Sequence, residues 1–214
     1  VSIPVDTNWF DELQLVVDLL NTEAFQGEGG LDVNKLMDPA NYRLLELSDL
    51  DIMSQSKIIC SNLSNGLNKV LEVFNLNNLV SIPAGIDWQT ELYRVVDVLK
   101  TKAADTLLFS SGQFNLEGIN NLGTIIEAVK TITSDDLAIF TDSKLIMSNI
   151  DSVLAMALAQ SGLEGLVTIP AGLDWNSELM RIVNVLHTEA VNTLLYNAAG
   201  ELTFEGIKNL EVII

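Results

Sequence analysis

The feature that most constrains this fold is a twenty-residue motif that occurs three times. Residues 80–99 read VSIPAGIDWQTELYRVVDVL and residues 167–186 read VTIPAGLDWNSELMRIVNVL, with 13 of 20 positions identical; residues 1–20 are a more diverged copy. The similarity continues outside the motif, because residues 50–63 match residues 137–150 at the offset of 87 that separates Trp88 from Trp175. A long self-similar period predicts repeated structural units rather than one unique fold.

These matches divide the chain into copies at residues 1–79, 80–166 and 167–214, the last of them truncated. The first copy is shorter, and its deficit lies near residues 24–31, where changes of length are expected in a surface loop. The physical bundles can be offset from the sequence copies, at about residues 31–109 and 114–197. In that arrangement the Trp-containing helix closes each bundle.

Each copy has the periodicity of helices. In the second copy, apolar residues fall on one face of a single predicted helix of about five turns: Leu92, Val95, Val96, Leu99, Ala103 and Leu107. Asp87 and Asp174 precede the tryptophan as N-caps, and Glu91 and Glu178 add negative charge to the first turn.

Three further helices complete the predicted unit. They are a second helix over residues 116–132, a short third helix from Ser134 through Phe140, and a fourth capped by Asp142 and Ser143. No segment shows sustained strand alternation. The sequence therefore predicts an all-α tandem repeat of about 87 residues per unit, with three longer helices and one short helix, in two and a half copies.

The strongest local signal is the set of motif residues retained in all three copies: Trp9, Trp88, Trp175, Pro4, Pro83 and Pro170. Tryptophan in the first turn of an amphipathic helix packs its ring over the bundle end or the neighbouring copy. The alternative is a row of exposed aromatic rings that grips a polymer such as a glycan or peptide. We predict packing, because whole apolar stripes are retained together with the tryptophans.

Composition excludes two classes of partner. With 29 acidic against 11 basic residues and a net charge of −18, the chain lacks the clustered Lys and Arg that nucleic acids require, and anionic lipid is disfavoured for the same reason. The longest strongly apolar stretch without a charge, residues 152–163, has 12 residues, whereas a membrane-spanning helix needs about 20. No segment is expected to insert into a membrane.

No catalytic, cofactor or metal site is predicted. His187 is the only histidine and Cys60 the only cysteine, and we interpret them as a solvated helix residue and a small buried apolar residue. No nucleophile elbow, Walker A loop or G-x-G-x-x-G fingerprint occurs. Calcium at the acidic loops, residues 26–32, 134–136 and 141–143, is the one metal hypothesis, and helix capping is the favoured reading of the same residues. We therefore predict that the chain is not an enzyme and uses no cofactor.

The motifs IPAGIDW/IPAGLDW and SQSKIICSNL/TDSKLIMSNI, with scarce cysteine and high acidity, resemble the tandem helical repeats of large bacterial cell-surface proteins. This resemblance implies a stalk or spacer in a surface or secreted protein, whose partners are neighbouring repeats of the same chain. The chain starts without Met and ends within a repeat, so we expect it to be a fragment. The alternatives are an adhesin that recognises a host protein or glycan in a groove between copies and, more remotely, an enzyme-associated scaffold.

Overall fold

The computed structural model describes residues 1–32, 34–35 and 38–203, and this part of the chain is mostly helical, as predicted. Its α-helices are α1 (Trp9–Leu20), α2 (Pro39–Tyr42), α3 (Leu47–Gln55), α4 (Lys57–Val73), α5 (Trp88–Lys100), α6 (Lys102–Leu108), α7 (Leu122–Lys130), α8 (Ser134–Asp142), α9 (Lys144–Met147), α10 (Ile150–Gln160), α11 (Trp175–Leu186) and α12 (Glu189–Leu195). Two 3₁₀ turns lie at Glu23–Phe25 and Glu117–Asn120. The helices are shorter and more numerous than the apolar stripes predict.

Helices α1, α5 and α11 all begin at the tryptophan of the repeated motif. The side-chain oxygens of Asn8 and Asp87 accept hydrogen bonds from the amides two residues further on, at 3.2 and 3.1 Å. Such caps satisfy donors that have no partner within the helix. Asp174, the other predicted cap, instead accepts from the Ser177 hydroxyl at 2.7 Å.

The Trp helix of the second copy is two helices, so the prediction of one helix of five turns is wrong. α5 ends at Lys100, Thr101 has extended backbone angles (φ −69°, ψ 154°), and α6 begins at Lys102. The Thr101 hydroxyl accepts from the Ala104 amide at 3.2 Å and donates to the Val98 carbonyl at 2.7 Å. A threonine that binds backbone groups in this way competes with helix continuation, so this side chain separates α5 from α6.

The predicted helix over residues 116–132 is also interrupted. It consists of the 3₁₀ turn Glu117–Asn120 followed by α7, and Asn121 between them caps α7 through the Thr124 amide at 3.2 Å. Gly118 in the turn lies against α6, where an added Cβ would come within 2.3 Å of the Leu107 carbonyl oxygen. The turn can approach α6 this closely only because residue 118 has no side chain.

The third and fourth predicted helices are present with altered limits. α8 begins at Ser134 but continues to Asp142, and Ser143 caps the next helix through the Ile146 amide at 3.3 Å. In the second copy that helix is divided into α9 and α10, whereas the matching α4 of the first copy is uninterrupted over 17 residues. The count of three longer helices and one short helix per unit is therefore wrong.

Two antiparallel hairpins connect helices. β1 (Gln26–Gly27) pairs with β2 (Gly30–Leu31), and β3 (Phe109–Ser110) pairs with β4 (Gln113–Phe114). In the second hairpin Ser111 and Gly112 have φ values of 51° and 77°, the left-handed pair that a tight two-residue turn requires. Strands of two residues are too short to produce alternation, so sequence periodicity could not reveal them.

Three clusters of buried apolar side chains form the interior of the described ranges. The first contains Leu19, Ala24, Phe25, Leu45, Leu50, Met53, Leu92 and Val96. The second contains Val98, Ala103, Ala104, Ala128, Ile132, Leu137, Phe140, Leu179 and Val183, and the smaller third contains Leu122, Ala157, Leu158 and Leu163. α5 contributes to the first core and α11 to the second, so each of these helices completes a core begun by the preceding sequence copy.

Among the helices just described, none is both long enough and apolar enough to cross a membrane.

Candidate functional site

The three motif tryptophans lie in different surroundings. Trp175 is 9% exposed and Trp88 is half-buried, whereas Trp9 is 51% exposed. The indole Nε1 of Trp88 donates to the Ser64 hydroxyl, and that of Trp175 donates to the Asp151 carboxylate, both at 2.7 Å. Ser64 and Asp151 are 87 positions apart, as are the two tryptophans. α5 and α11 thus each bind the preceding long helix through corresponding positions.

A buried glutamate three positions after the tryptophan joins α1 to α4. Glu12 is only 4% exposed. Its carboxylate accepts from the Ser56 hydroxyl at 2.7 Å and from the amides of Lys57 and Ile58 at 2.6 and 3.3 Å. The Ser56 oxygen accepts from the amide of Ile59 at 3.1 Å. Together the two side chains satisfy the first three amide donors of α4.

Glu91 makes the same set of contacts between α5 and α9. It is 2% exposed and accepts from the Ser143 hydroxyl at 2.7 Å and from the amides of Lys144 and Leu145 at 3.2 and 2.8 Å. Glu91 lies in the first turn of α5, as predicted. Its carboxylate in addition binds the N-terminus of a different helix, 52 residues further on, which the sequence did not indicate.

The environment of Glu12 holds its carboxylate in the ionised state. Burial acts to raise the pKa of Glu12, but the Ser56 hydroxyl, the amides of Lys57 and Ile58 and the Lys57 charge outweigh it, so the pKa is lowered overall. Negative charge at a helix N-terminus is also favoured by the helix dipole. The ionised carboxylate is thus the form that links the two helices.

Glu178, the third glutamate of the motif, has no such partner helix among the described residues. Its side chain is 30% exposed and its carboxylate lies 3.0 Å from the Arg181 guanidinium, one turn along the same helix. The three copies therefore share a residue type but differ in what surrounds it.

A paired amide contact anchors the beginning of the motif. The Asn149 side chain accepts from the Ser81 amide at 2.8 Å and donates to the Ser81 carbonyl at 2.9 Å. Asn62 makes the same two bonds with Ser2, at 2.6 and 2.7 Å. Both backbone groups of one residue are bound, which fixes the segment that leads into the following Ile-Pro pair.

The three motif prolines lie in this connecting segment. Pro4 and Pro83 are half-buried, and Pro170 is exposed. The ammonium groups of Lys57 and Lys144 donate to the backbone carbonyls two residues after Pro4 and Pro83, at 3.3 and 3.4 Å. The first two connections are thus tied to α4 and α9.

The remaining singled-out residues have local contacts. His187 is exposed, and its Nε2 lies 2.9 Å from the Lys130 carbonyl oxygen. Cys60 is half-buried, and burial together with the charges of Asp87 and Glu12 raises the pKa of its thiol to about 11. Such a thiol is protonated at neutral pH and is a poor nucleophile. Within the described ranges, no three acidic, His or Cys side chains are grouped to hold a metal ion.

These contacts give α5 two buried faces. Leu92 and Val96 point into the first core, where α5 packs on α3 and α4. Val98 points into the second core and Glu91 binds α9, so the other side of α5 packs on α8 and α9. α5 is therefore a shared element between two helical groups, and we regard this junction as the candidate functional site.

The sequence did not reveal that the polar residues of the junction bind one another across helices. The signal for the glutamates was their presence three positions after the tryptophan in every copy, at Glu12, Glu91 and Glu178. The signal for the asparagines was their recurrence as Asn62 and Asn149, at corresponding positions of the SNL and SNI segments. Their partners could not be found from periodicity, since they lie between about 44 and 68 residues away.

The polar groups of the junction join helices, because most of them are bound to backbone donors and acceptors.

No protein-family model, curated protein or solved structure matches the chain.

Proposed function

We propose that the chain is a segment of a helical repeat array that serves as a structural spacer, with successive units joined by a shared Trp helix. The observation that carries this proposal is the double burial of α5. One face of that helix places Leu92 and Val96 in the first core, and the other places Val98 in the second. Units that share a helix have no free linker at their junction, which favours a stiff array over loosely connected beads.

The recurrence of the polar contacts supports the same proposal. Two kinds of contact occur at corresponding positions of the first two copies. One is the glutamate clasp, the set of hydrogen bonds by which Glu12 or Glu91 accepts from a serine hydroxyl and two amides at the start of another helix, and the other is the paired amide contact of Asn62 or Asn149. Equivalent junctions at regular intervals suit a protein that provides length. A catalytic pocket needs one copy to depart from the others, whereas the differences within the motif are mostly conservative exchanges.

The core clusters also bear on where one unit ends. The first cluster runs from Leu19 to Val96 and the second from Val98 to Val183. We therefore propose that the physical units are offset from the sequence copies 1–79, 80–166 and 167–214. Their limits differ from the predicted bundles, because the first cluster begins at Leu19, ahead of the bundle at 31–109, and the second begins at Val98, ahead of the bundle at 114–197. Each unit takes the Trp helix of the following copy as its last element.

The proposed location is the surface of a bacterial cell or its surroundings. It rests on the resemblance of the IPAGIDW and SQSKIICSNL motifs to surface-protein repeats, and on the net charge of −18. An acidic chain repels its own copies, which suits a protein displayed at high density.

Small-angle X-ray scattering tests whether the chain has the extended shape that the proposed spacer function requires. A compact globule of 214 residues has a radius of gyration of about 17 Å, and the spacer predicts a larger value with a rod-like distance distribution. Duplicating residues 80–166 within the chain should then lengthen the maximum dimension by a fixed increment. A radius near the compact value, with little growth on duplication, would contradict the proposal.

A second candidate function, ligand binding between copies, is favoured by one groove. It lies where Phe74 at the end of α4 meets Phe114 of the β3–β4 hairpin, with ring centroids 5.3 Å apart. Gln113, Asn115 and Glu117 contribute polar groups beside these rings, and aromatic rings with a few polar groups are the composition of many binding sites. Loss of glycan or host-protein binding on changing Asn115 alone would favour this adhesin role.

A further inference from the structure

The exposed face of α1 is an apolar surface that has a buried counterpart elsewhere in the chain. Three of its side chains, Trp9, Leu13 and Val17, are 51, 59 and 49% exposed. They recur with helical spacing, so they form one stripe on α1. An adjacent side of the helix is buried, with Glu12 and Leu19 at 4 and 8% exposed.

The corresponding stripe on α5 is covered. Leu92 and Val96 occupy the positions of Leu13 and Val17 and are 5 and 1% exposed, and the Trp88 indole is bound to Ser64. The stripe rests on α3 and α4, where Leu50 and Met53 belong to the same core.

The corresponding stripe on α11 is covered as well. Trp175, Leu179 and Val183 are 9, 7 and 6% exposed. They face α7 and α8, and the Trp175 indole binds Asp151 at the start of α10. Two of the three motif helices therefore bury the same stripe, one against α3 and the other against α8, which lies 87 residues further along the chain.

We propose that the Trp9–Leu13–Val17 face of α1 is a docking surface for another helical unit of this same kind. Its partner presents an apolar surface equivalent to α3 and α4, with a hydroxyl or carboxylate at the position of Ser64 or Asp151 to accept from the Trp9 indole. This inference rests on the proposed function, because it names the partner that an array would supply.

The geometry also determines which unit can bind. In the described part of the chain, the α3–α4 surface already holds α5, and the α7–α8 surface already holds α11. A second, unaltered copy of the chain therefore has neither surface free. The partner is a unit joined in front of Val1, whose own surface for a Trp helix is unfilled.

Duplication of residues 80–166 in front of Val1 tests the inference directly. The new junction is Leu-Val, as at Leu79–Val80 and Leu166–Val167. Trp88 and Trp175 are replaced by Phe in every copy, which leaves Trp9 as the only tryptophan. Acrylamide quenching of Trp9 is then compared between the extended and unextended chains in this background.

Docking predicts a several-fold smaller quenching constant and a blue-shifted emission in the extended chain. The matched control is Leu13→Asp in that chain, which should restore the exposure of Trp9. Equal quenching constants in the two chains overturn the proposal, as does protection that develops in the unextended chain with rising concentration. A second extension duplicates residues 1–79, offers Ser64 in place of Asp151, and carries Phe at position 9 of the added segment, so that the original Trp9 is again the only tryptophan.

The scattering experiment separates this inference from the spacer proposal. An extended chain that lengthens by the fixed increment while Trp9 stays accessible refutes the docking and leaves the array. A chain in which Trp9 is protected without a gain in length refutes the spacer and leaves the docking.

Discussion

Replacement of Glu91 by alanine should destabilise the protein strongly, whereas the same replacement at Glu178 should have little effect. The two residues occupy the same position of the motif, and the sequence alone gives no reason to separate them. Glu91 is 2% exposed and accepts three hydrogen bonds, while Glu178 is 30% exposed and pairs with Arg181 in its own helix. The difference is therefore a property of the tertiary structure.

The magnitude follows from the groups left behind. Alanine at position 91 leaves the Ser143 hydroxyl and the amides of Lys144 and Leu145 without their acceptor. Removing one partner of a buried charged contact costs about 3–5 kcal/mol. Loss of an exposed ion pair costs about 0–1 kcal/mol, which is the expectation at Glu178.

Thermal unfolding followed by circular dichroism measures the difference. In a chain of this size, 1 kcal/mol shifts the midpoint by about 2–4 °C, so Glu91→Ala should lower it by about 6–20 °C. Glu178→Ala serves as the matched control and should lower it by about 4 °C at most. Equal shifts for the two variants would refute the clasp as a source of stability, since the sequence change is identical.

Three further predictions concern single residues. Because the pKa of Glu12 is lowered in the folded state, its contribution is complete above the ordinary glutamate pKa of about 4.3 and is lost as the pH falls through the lowered value. The difference in urea midpoint between wild type and Glu12→Gln should therefore be constant near neutral pH and shrink below about pH 4. A difference that stays constant down to pH 2.5 would contradict stabilisation by the ionised Glu12 carboxylate. Gly118→Ala should lower the free energy of unfolding by about 2 kcal/mol or more, because the added Cβ would lie 2.3 Å from the Leu107 carbonyl oxygen. Gly66→Ala, in the open middle of α4, is the control and should raise the free energy of unfolding by about 0.5–1 kcal/mol. Equal effects of the two changes in chemical denaturation would show that the close approach at Gly118 is absent. Cys60, with a thiol pKa raised to about 11, should react with iodoacetamide at pH 8 at least tenfold more slowly in the folded than in the urea-unfolded chain, and comparable rates would contradict its burial.

Much of the local structure could be predicted from the sequence. The helical class follows from apolar residues at three- and four-residue spacing, and the starts of α5 and α11 follow from Asp87 and Asp174 before the tryptophans. The breaks within the predicted helices were missed, because Thr101 and Asn121 compete with the helix through side-chain bonds that interrupt the backbone without interrupting the apolar stripe.

The candidate junction could be predicted only in part. The retention of tryptophan and glutamate in each copy indicates that the motif matters, but its partners depend on which helices pack together. Glu91 binds residues more than 50 positions further along the chain, and nothing in a local pattern specifies such a pair.

The sequence by itself determined that similar helices recur along the chain, where they begin, and which of their faces are apolar. It did so because capping, periodicity and composition are local properties of the chain. Only the tertiary structure decided that Leu92 is buried while Leu13 is exposed, and that Glu91 joins two helices while Glu178 pairs with Arg181 of its own helix. The reason is that burial and hydrogen bonding depend on what stands opposite a residue, and the three copies of the motif have different neighbours.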